Sequence, residues 1–221
     1  FNFKFTDLQA CIGISQLKNI NQKIHSFNNS LDDQLASPIA KTYKRVTPDL
    51  LELGFTNIFR NVEDINIGLN NVLQGKFKDG FSDIFRFTIN SSIGLGGLFD
   101  VASNLGLEKH DEDFGQTLAV WGVSSGPYIV LPGLGPSTMR DTLGMIPDNL
   151  LNPFWFIEHI PTKNSISAMN LIDTRARYLG LESVVIGDEY LFYKDAYQQS
   201  REFDIKDGIV DDDFDEFDDF N

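Results

Sequence analysis

Four groups of residues have the types and spacing that chemistry demands. Gly122-Val-Ser-Ser-Gly126 matches the nucleophile pattern of serine hydrolases, with Ser124 in the nucleophile's place. That motif needs an apolar strand before the serine and a helix after it. Here Pro127, an extended Tyr-Ile-Val-Leu and Pro132 follow, so Ser124 is expected in a structural loop. Ester hydrolysis through Ser124 is kept only as an alternative. His110, Asp111, Glu112 and Asp113 offer nitrogen and oxygen donors, but consecutive loop side chains do not converge on one ion, and His25 and His159 are far away in sequence. A surface charge cluster and no metal are expected there. Gly94, Gly96 and Gly97 lie in the apolar run Ile89 to Phe99 without the Lys-Ser/Thr of a phosphate loop or Rossmann spacing. Their expected service is close backbone approach in a turn. Leu8-Gln9-Ala10-Cys11 has the form of a bacterial lipoprotein cleavage site, although Phe1 to Asp7 carries Lys4 and Asp7 and is no apolar signal core. A chain retaining Phe1 to Ala10 would not itself carry a lipid at Cys11.

Composition narrows the function. The 221 residues suffice for one domain with a real core. Lys and Arg number 18 against 32 Asp and Glu, a formal charge of -14. The last 11 residues hold seven of the acids, so without them the balance is still 25 against 18. A nucleic-acid partner is excluded on that charge, and so is recruitment to an anionic membrane by charge. Cys11 is the sole cysteine, which rules out an internal disulfide framework and a Cys-rich metal site. Phe is abundant, at 19, yet no stretch approaches the roughly 18 consecutive apolar residues of a spanning helix. Membrane association would then be interfacial, shallow or lipid-anchored.

The elements that must position these groups read as helices. Ile20, Ile24, Phe27, Leu31 and Leu35 predict a helix over Asn19 to Leu35, and Pro38 restarts the chain. A second run from Pro48 closes at Gln74-Gly75. A third places Phe77, Phe81, Ile84 and Phe85 on one side and Lys78, Asp79, Asp83 and Arg86 on the other. In an ordinary soluble bundle Leu73, Phe77, Phe81 and Phe85 would be core, whereas a membrane reading leaves such stripes facing lipid. A turn spans Gly94 to Gly97, a short helix Asp100 to Leu105, and a surface connection Glu108 to Asp113. Phe114 to Trp121 forms another short helix, and Gly122 to Pro136 an extended loop. Ser137 caps a helix that Pro147 ends, an aromatic patch covers Asn152 to Ile157, and Asn164 or Ser165 caps a helix to Leu179. A last helix covers about Asp188 to Arg201. The organisation is an N-terminal segment 1–18, a helical domain 19–205 and an acidic flexible tail 206–221, all-α and without a β-barrel.

The succession of motifs is specific. It runs through Asn21 to Ala40, Gly54-Phe-Thr-Asn-Ile-Phe-Arg-Asn61, Leu73-Gln-Gly-Lys-Phe77, Arg86 to Ala102 and Lys109 to Leu118. It continues through Trp121-Gly122, Gly126-Pro127-Tyr128, Leu131-Pro132, Gly135 to Asp141, Thr174-Arg175-Ala176 and Tyr190 to Phe203. In this order, over about residues 20 to 205, the chain resembles the MlaA family, also called VacJ, of outer-membrane phospholipid-transport lipoproteins. It departs from the family at Lys18-Asn-Ile-Asn-Gln22, where an acidic-Gly-Phe-Asn-Arg entry is usual.

The resemblance implies a ring- or disc-like assembly of amphipathic helices lying in the outer membrane, with a central amphipathic channel. It implies lipid anchoring on the periplasmic side, with Cys11 the candidate for lipidation. Phospholipid misplaced in the outer leaflet would leave through the channel and pass to a soluble periplasmic carrier. Trimeric porins would be partners, phospholipid the transported ligand, and no cofactor or catalysis would be involved. Gly94, Gly96, Gly97, Gly122, Gly126, Pro127, Pro132, Gly133 and Gly135 are the channel or gating candidates. A soluble periplasmic lipid-binding or scaffold protein is the other alternative.

Overall fold

In a computed structural model the described residues are 3–209, with side chains described from residue 13 onward except 182 and 183. Helix α1 (Phe3–Leu31) passes through a π-helical turn, Asp32–Ala36, directly into α2 (Ser37–Val46). Pro38 opens a helix as expected, although α1 runs into α2 without a break. It falls in the first turn of α2, where a missing N–H costs little. The first helix also starts well before Asn19. Cys11 lies in its backbone, and its side chain is outside the described residues.

Helices α3 (Asp49–Leu73) and α4 (Phe77–Ser92) agree with the periodicity, and the turn between them folds one back along the other. A turn at 93–98 leads to α5 (Val101–Asn104), whose first amides are capped by Asp100. Asp113 caps α6 (Phe114–Val120) in the same way. The expected loop of Gly122 to Pro136 is partly a hairpin: β1 (Tyr128–Leu131) pairs antiparallel with β2 (Gly135–Thr138), Tyr128 opposite Thr138 and Leu131 opposite Gly135. The Tyr-Ile-Val-Leu run has the β-branched character of a strand, and Gly133 and Gly135 take the left-handed conformation its turn needs.

Helix α7 (Met139–Leu151) is capped by Thr138, whose hydroxyl accepts from the Asp141 N–H; Ser137, the expected cap, is buried in β2. Pro147 does not end α7. Asp148, the next residue, accepts from Asn66 Nδ2, Asn70 Nδ2 and the Phe114 N–H, which anchors the turn beyond the proline. A 3-10 turn at Pro153–Phe156 sets Phe154 edge-on to Phe59. Helix α8 (Ile160–Arg177) begins a turn earlier than expected, capped by His159 with Pro161 at its start, and not by Asn164 or Ser165. After a 3-10 turn at Leu181–Val184 comes α9 (Glu189–Ile205), capped by Asp188. The acidic segment from residue 210 lies outside the described residues. Among the described residues no helix is long and apolar enough to cross a membrane.

Candidate functional site: a polar interior inside an apolar surface

Helix α4 shows how this chain distributes its side chains. Gly80, Asp83, Arg86 and Asn90, one stripe of the helix, are buried, the first three against α3 and Asn90 against Asp100 and Ala102. The opposite stripe is the aromatic one. Phe77, Phe81 and Phe85 are 58%, 56% and 60% exposed, while Asp83 and Arg86 are 0% and 1% exposed. The soluble-bundle expectation that Leu73, Phe77, Phe81 and Phe85 form the core is therefore corrected. The periodicity was that of an amphipathic helix, but its polar side is the one turned inward. The pattern extends across the molecule. Few apolar side chains are buried, Phe59, Ile67 and Val130 among them, whereas Ile39, Leu50, Ile93, Trp155 and Ile160 all stand exposed.

Inside, most polar groups pair with one another, although Asp64 Oδ2 and Arg86 Nε are held by charge without a hydrogen bond. Arg86 lies between Asp64 (Nε to Oδ2, 3.5 Å) and Asp100 (Nη2, 3.2 Å), and also donates to Ser103 and the Leu107 carbonyl. Lys109 Nζ reaches Asp64 at 2.6 Å. His110 Nδ1 lies 2.9 Å from Asp83, which accepts from Asn71 on its other oxygen. Glu112 accepts from Lys76 and Gln74, and Asp113 binds Arg201 through both oxygens. The segment Glu108 to Asp113 is thus only in part the surface connection expected. Lys109, His110, Glu112 and Asp113 turn inward, each to a different buried or half-buried partner, while Glu108 and Asp111 stay exposed as a surface segment would. That divergence is also why it makes no metal site, and no group suited to hold a metal occurs among the described residues. Asp100 illustrates the electrostatics: burial raises its carboxyl, but Ser103, Asn90 and Arg86 outweigh that and hold it at about 2. Burial likewise raises Asp141, while Thr138, Arg201 and Tyr197 bring it below the ordinary carboxylate range.

Glycine permits the closest helix crossings, and these are positions the sequence reading passed over. A Cβ on Gly80 would lie 2.7 Å from the Gly68 carbonyl oxygen, and one on Gly68 would lie 2.9 Å from that of Gly80, so α3 and α4 touch backbone to backbone. Gly144 brings α7 against the Gly115 backbone of α6, with 2.6 Å from its Cβ position to the Gly115 nitrogen, while a Cβ on Gly115 would meet the Arg201, Asp141 and Asp113 side chains. Of the glycines singled out, Gly94 is packed against backbone oxygens of Asn90 and Phe99, and Gly97 against the Asn61 side chain. Gly126 approaches Met139. Gly96, Gly122, Gly133 and Gly135 have open space around them and serve by left-handed conformation alone. The structure therefore splits the candidates: Gly94, Gly96 and Gly97 belong to the turn after α4, Gly122 to the turn that ends α6, and Gly126, Pro127, Pro132, Gly133 and Gly135 to the hairpin and its entry. Ser124 is exposed after a helix and before a strand, the reverse of a nucleophile elbow.

The hairpin is tied to α1 by two asparagines. Asn21 donates to the Tyr128 carbonyl and accepts from the Val130 N–H; Asn28 donates to the Leu131 carbonyl and accepts from the Gly133 N–H. Seven residues of helix advance about 10.5 Å. Three residues of strand, the offset between the two peptide pairs, advance about 10 Å. The match lets one helix face imitate a neighbouring strand and cover the open edge of β1. On the other side α9 meets the hairpin, with Tyr190 and Tyr197 edge-on to Tyr128. Two open grooves lie on outer surfaces: one of about 450 Å³ along α9 between Ile186 and Gln199, and one of about 280 Å³ on α1 at Asn19, Gln22, Lys23 and Ser26.

Comparison with known proteins bears on this arrangement. The profile of a family described as MlaA lipoprotein matches residues 16–204. An uncharacterized protein of Rickettsia typhi is 34% identical over 190 residues, covering 84% of this chain and 76% of its own. The intermembrane phospholipid transport system lipoprotein MlaA of Haemophilus influenzae is 31% identical over 198 residues, 87% of this chain and 79% of its own. Its counterpart in Escherichia coli is 31% identical over 195 residues, 85% and 76% of the two chains. A solved structure concerned with the maintenance of bacterial outer membrane lipid asymmetry superposes with a TM-score of 0.76 at 30% identity, covering 86% of this chain and 98% of that one.

Proposed function

Because the chain belongs to the MlaA lipoprotein family, we propose that it removes phospholipid misplaced in the outer leaflet of the outer membrane and passes it to a soluble periplasmic carrier, so maintaining lipid asymmetry. The observation that carries this reading is the inverted burial of α4 and its neighbours. A chain with its aromatic stripes outward is matched to acyl chains, since each methylene kept from water is worth about 0.8 kcal/mol. With no spanning helix among the described residues, the helices lie in the membrane plane as a ring or disc. The polar interior borders a central amphipathic channel, where polar groups receive a headgroup that a dry passage would exclude. Lipid is the cargo, no cofactor takes part and no bond is broken.

Partition and guidance then suffice as mechanism. The turn at Gly94, Gly96 and Gly97 and the loop from Gly122 to Pro136 control passage, trimeric porins are the membrane partners, and Cys11 is the site of lipid anchoring once cleavage after Ala10 makes it the first residue. Gentle crosslinking of outer membranes is expected to recover a porin trimer with the chain. For transport itself, cells lacking this protein should accumulate outer-leaflet phospholipid, and the wild-type chain should reverse that. A variant carrying Phe77→Ser, Phe81→Ser and Phe85→Ser, confirmed folded by its helical circular dichroism, should be extracted from the membrane more readily and fail to reverse it. Full complementation by this variant would sink the lipid-facing assignment. Gly97→Val, folded and membrane-bound, should slow transfer to a periplasmic acceptor; an unchanged rate would remove the gating role.

A further inference from the structure

One face of α3 meets the elements opposite it turn by turn, with a gap in the row. Thr56 donates to Asp173 of α8, the Phe59 ring stands against Phe154 of the 3-10 turn, and Asn66 and Asn70 both donate to Asp148 of α7. Gln74, a turn further on, donates to Glu112 and to Thr117 of α6. At 3.6 residues per turn these positions share one arc of about 80° around the helix. Glu63 falls inside that arc, midway along the row, and makes neither a hydrogen bond nor an ion pair among the described residues.

What Glu63 faces is an enclosed space that water reaches. The side chain is exposed, yet the protein around it desolvates its carboxyl and raises it, and Lys109, Arg177 and Arg60, which draw it down, do not offset that. On a convex surface an exposed carboxylate is also well solvated. One that is wet and still desolvated stands on a concave wall. The charges acting on it come from separate elements: Arg177 from the end of α8, where it lies 3.5 Å from Asp173, and Lys109 and Asp111 from the segment before α6. Lys109 is committed elsewhere, 2.6 Å from Asp64 and 2.9 Å from the Arg60 carbonyl. Glu63 is therefore left without a counter-ion of its own, and Asp111 adds to its excess of negative charge.

We propose that Glu63 stands in the wall of the lipid passage, in the space bounded by α3, α7, α8 and the Glu108 to Asp113 segment, and takes the ammonium of a zwitterionic phospholipid headgroup. This rests on the lipid-transport reading above and names a headgroup preference for its cargo. A carboxylate short of a counter-ion gains most from a cation that also donates hydrogen bonds, which a primary ammonium does. Lys109, Arg177 and Arg60 make the same space tolerant of the phosphate joined to that ammonium. An anionic headgroup without an amine would only add to the repulsion between Glu63 and Asp111.

Two measurements on the full chain in detergent test it. In a Cys11→Ser background, Glu63→Cys should react with a small methanethiosulfonate and resist a maleimide carrying a long polyethylene glycol, whereas Glu108→Cys takes both. Equal reaction of the two positions with the bulky reagent would put Glu63 on the outer surface and overturn the proposal. Binding is then followed by native mass spectrometry with dihexanoyl phosphatidylethanolamine, dihexanoyl phosphatidylglycerol and sn-glycero-3-phosphoethanolamine. The ethanolamine lipid is expected to bind on the order of tenfold tighter than the glycerol lipid, the difference made by one hydrogen bond between charged groups, and the chain-free headgroup more weakly than either. Glu63→Gln should bring the two lipids to equal affinity without lowering the thermal midpoint, and Glu108→Gln should change neither. A midpoint that drops in Glu63→Gln would make Glu63 a structural carboxylate, and a headgroup that binds as tightly as the lipid would make this a site for a free zwitterion; each overturns the proposal. Equal affinities in the wild type, or a preference that survives Glu63→Gln, would overturn it while leaving lipid transport standing. If the wild-type chain binds neither lipid, the proposal and the transport reading fall together.

Discussion

The α3–α4 crossing and the β1–β2 hairpin are both antiparallel pairs joined by a short turn, yet they are held by opposite means. The crossing is closed from within: Gly68 and Gly80 bring two backbones into contact, and Asp64, Asn71, Asp83 and Arg86 are interlocked behind them. The hairpin is held from without, by amide pairs on α1 and tyrosine edges on α9. Buried charge networks make a region costly to open, because each separated partner is left uncompensated. The Asn28 pair, at the exposed end of the hairpin, can be exchanged for water at small net cost. The molecule thus joins a rigid frame to an element that can be released without unfolding it.

The sharpest way to break that contrast is Arg86→Met. It leaves Asp64 with Lys109 alone and Asp100 with only neutral donors, and should cost up to about 3–5 kcal/mol, read as a large fall in thermal midpoint in detergent; a shift of a degree or two would mean the interior is not closed by charge. Gly80→Val comes next. Its side chain meets the Gly68 carbonyl and Val72, and overpacking of that kind costs about 1–3 kcal/mol or more, so global stability should fall while the hairpin amides keep their relative protection. Asn28→Ala tests the other side. Loss of two hydrogen bonds, roughly 1–2 kcal/mol, should accelerate hydrogen exchange at Gly133 and leave the α3–α4 amides unchanged; uniform acceleration would show that the two regions open together.

A smaller and pH-dependent contribution belongs to the frame. The Asp100 carboxyl lies at about 2 in the folded chain, below its ordinary 3.8. Its folded value is the depressed one, so the ionised form is the one favoured by folding. The stabilisation is complete above pH of about 4 and is lost as the pH falls towards about 2. Asp100→Asn should flatten the acid limb of the stability profile within that window; an unaltered limb would show that Asp100 does not report on the frame.

Much of the frame was legible because helical spacing depends only on where apolar residues recur. That is why α3, α4, α6 and α9 fell close to their expected bounds. Spacing does not say which side of a helix faces inward, so Phe77, Phe81 and Phe85 were open to a core reading. Their exposure depends on the polar stripe Gly80, Asp83, Arg86 and Asn90 having partners on α3, around α5 and in the segment after it. The crossing glycines did leave a signal: Gly68 and Gly80 interrupt helical runs where alanine would be favoured. The hairpin was half legible. Pro127, Pro132 and the glycines indicated a turn-rich segment, but the edge that makes Tyr128 to Leu131 a strand is completed by Asn21 and Asn28, more than a hundred residues earlier. Lys194 and the tyrosines of α9 were visible as neighbouring turns, and only the fold places Tyr128 beneath the lysine.

The outward aromatic stripes also have a calorimetric consequence. The heat-capacity increment of unfolding arises mainly when hidden apolar surface becomes wet, and globular domains average about 12–15 cal/mol/K per residue. In this chain much of that surface is outside before any unfolding begins, while the interior released by melting is largely carboxylate, amide and guanidinium, whose hydration acts in the opposite sense. Its increment should fall below the globular average, giving a stability curve with little curvature and correspondingly little tendency to denature in the cold.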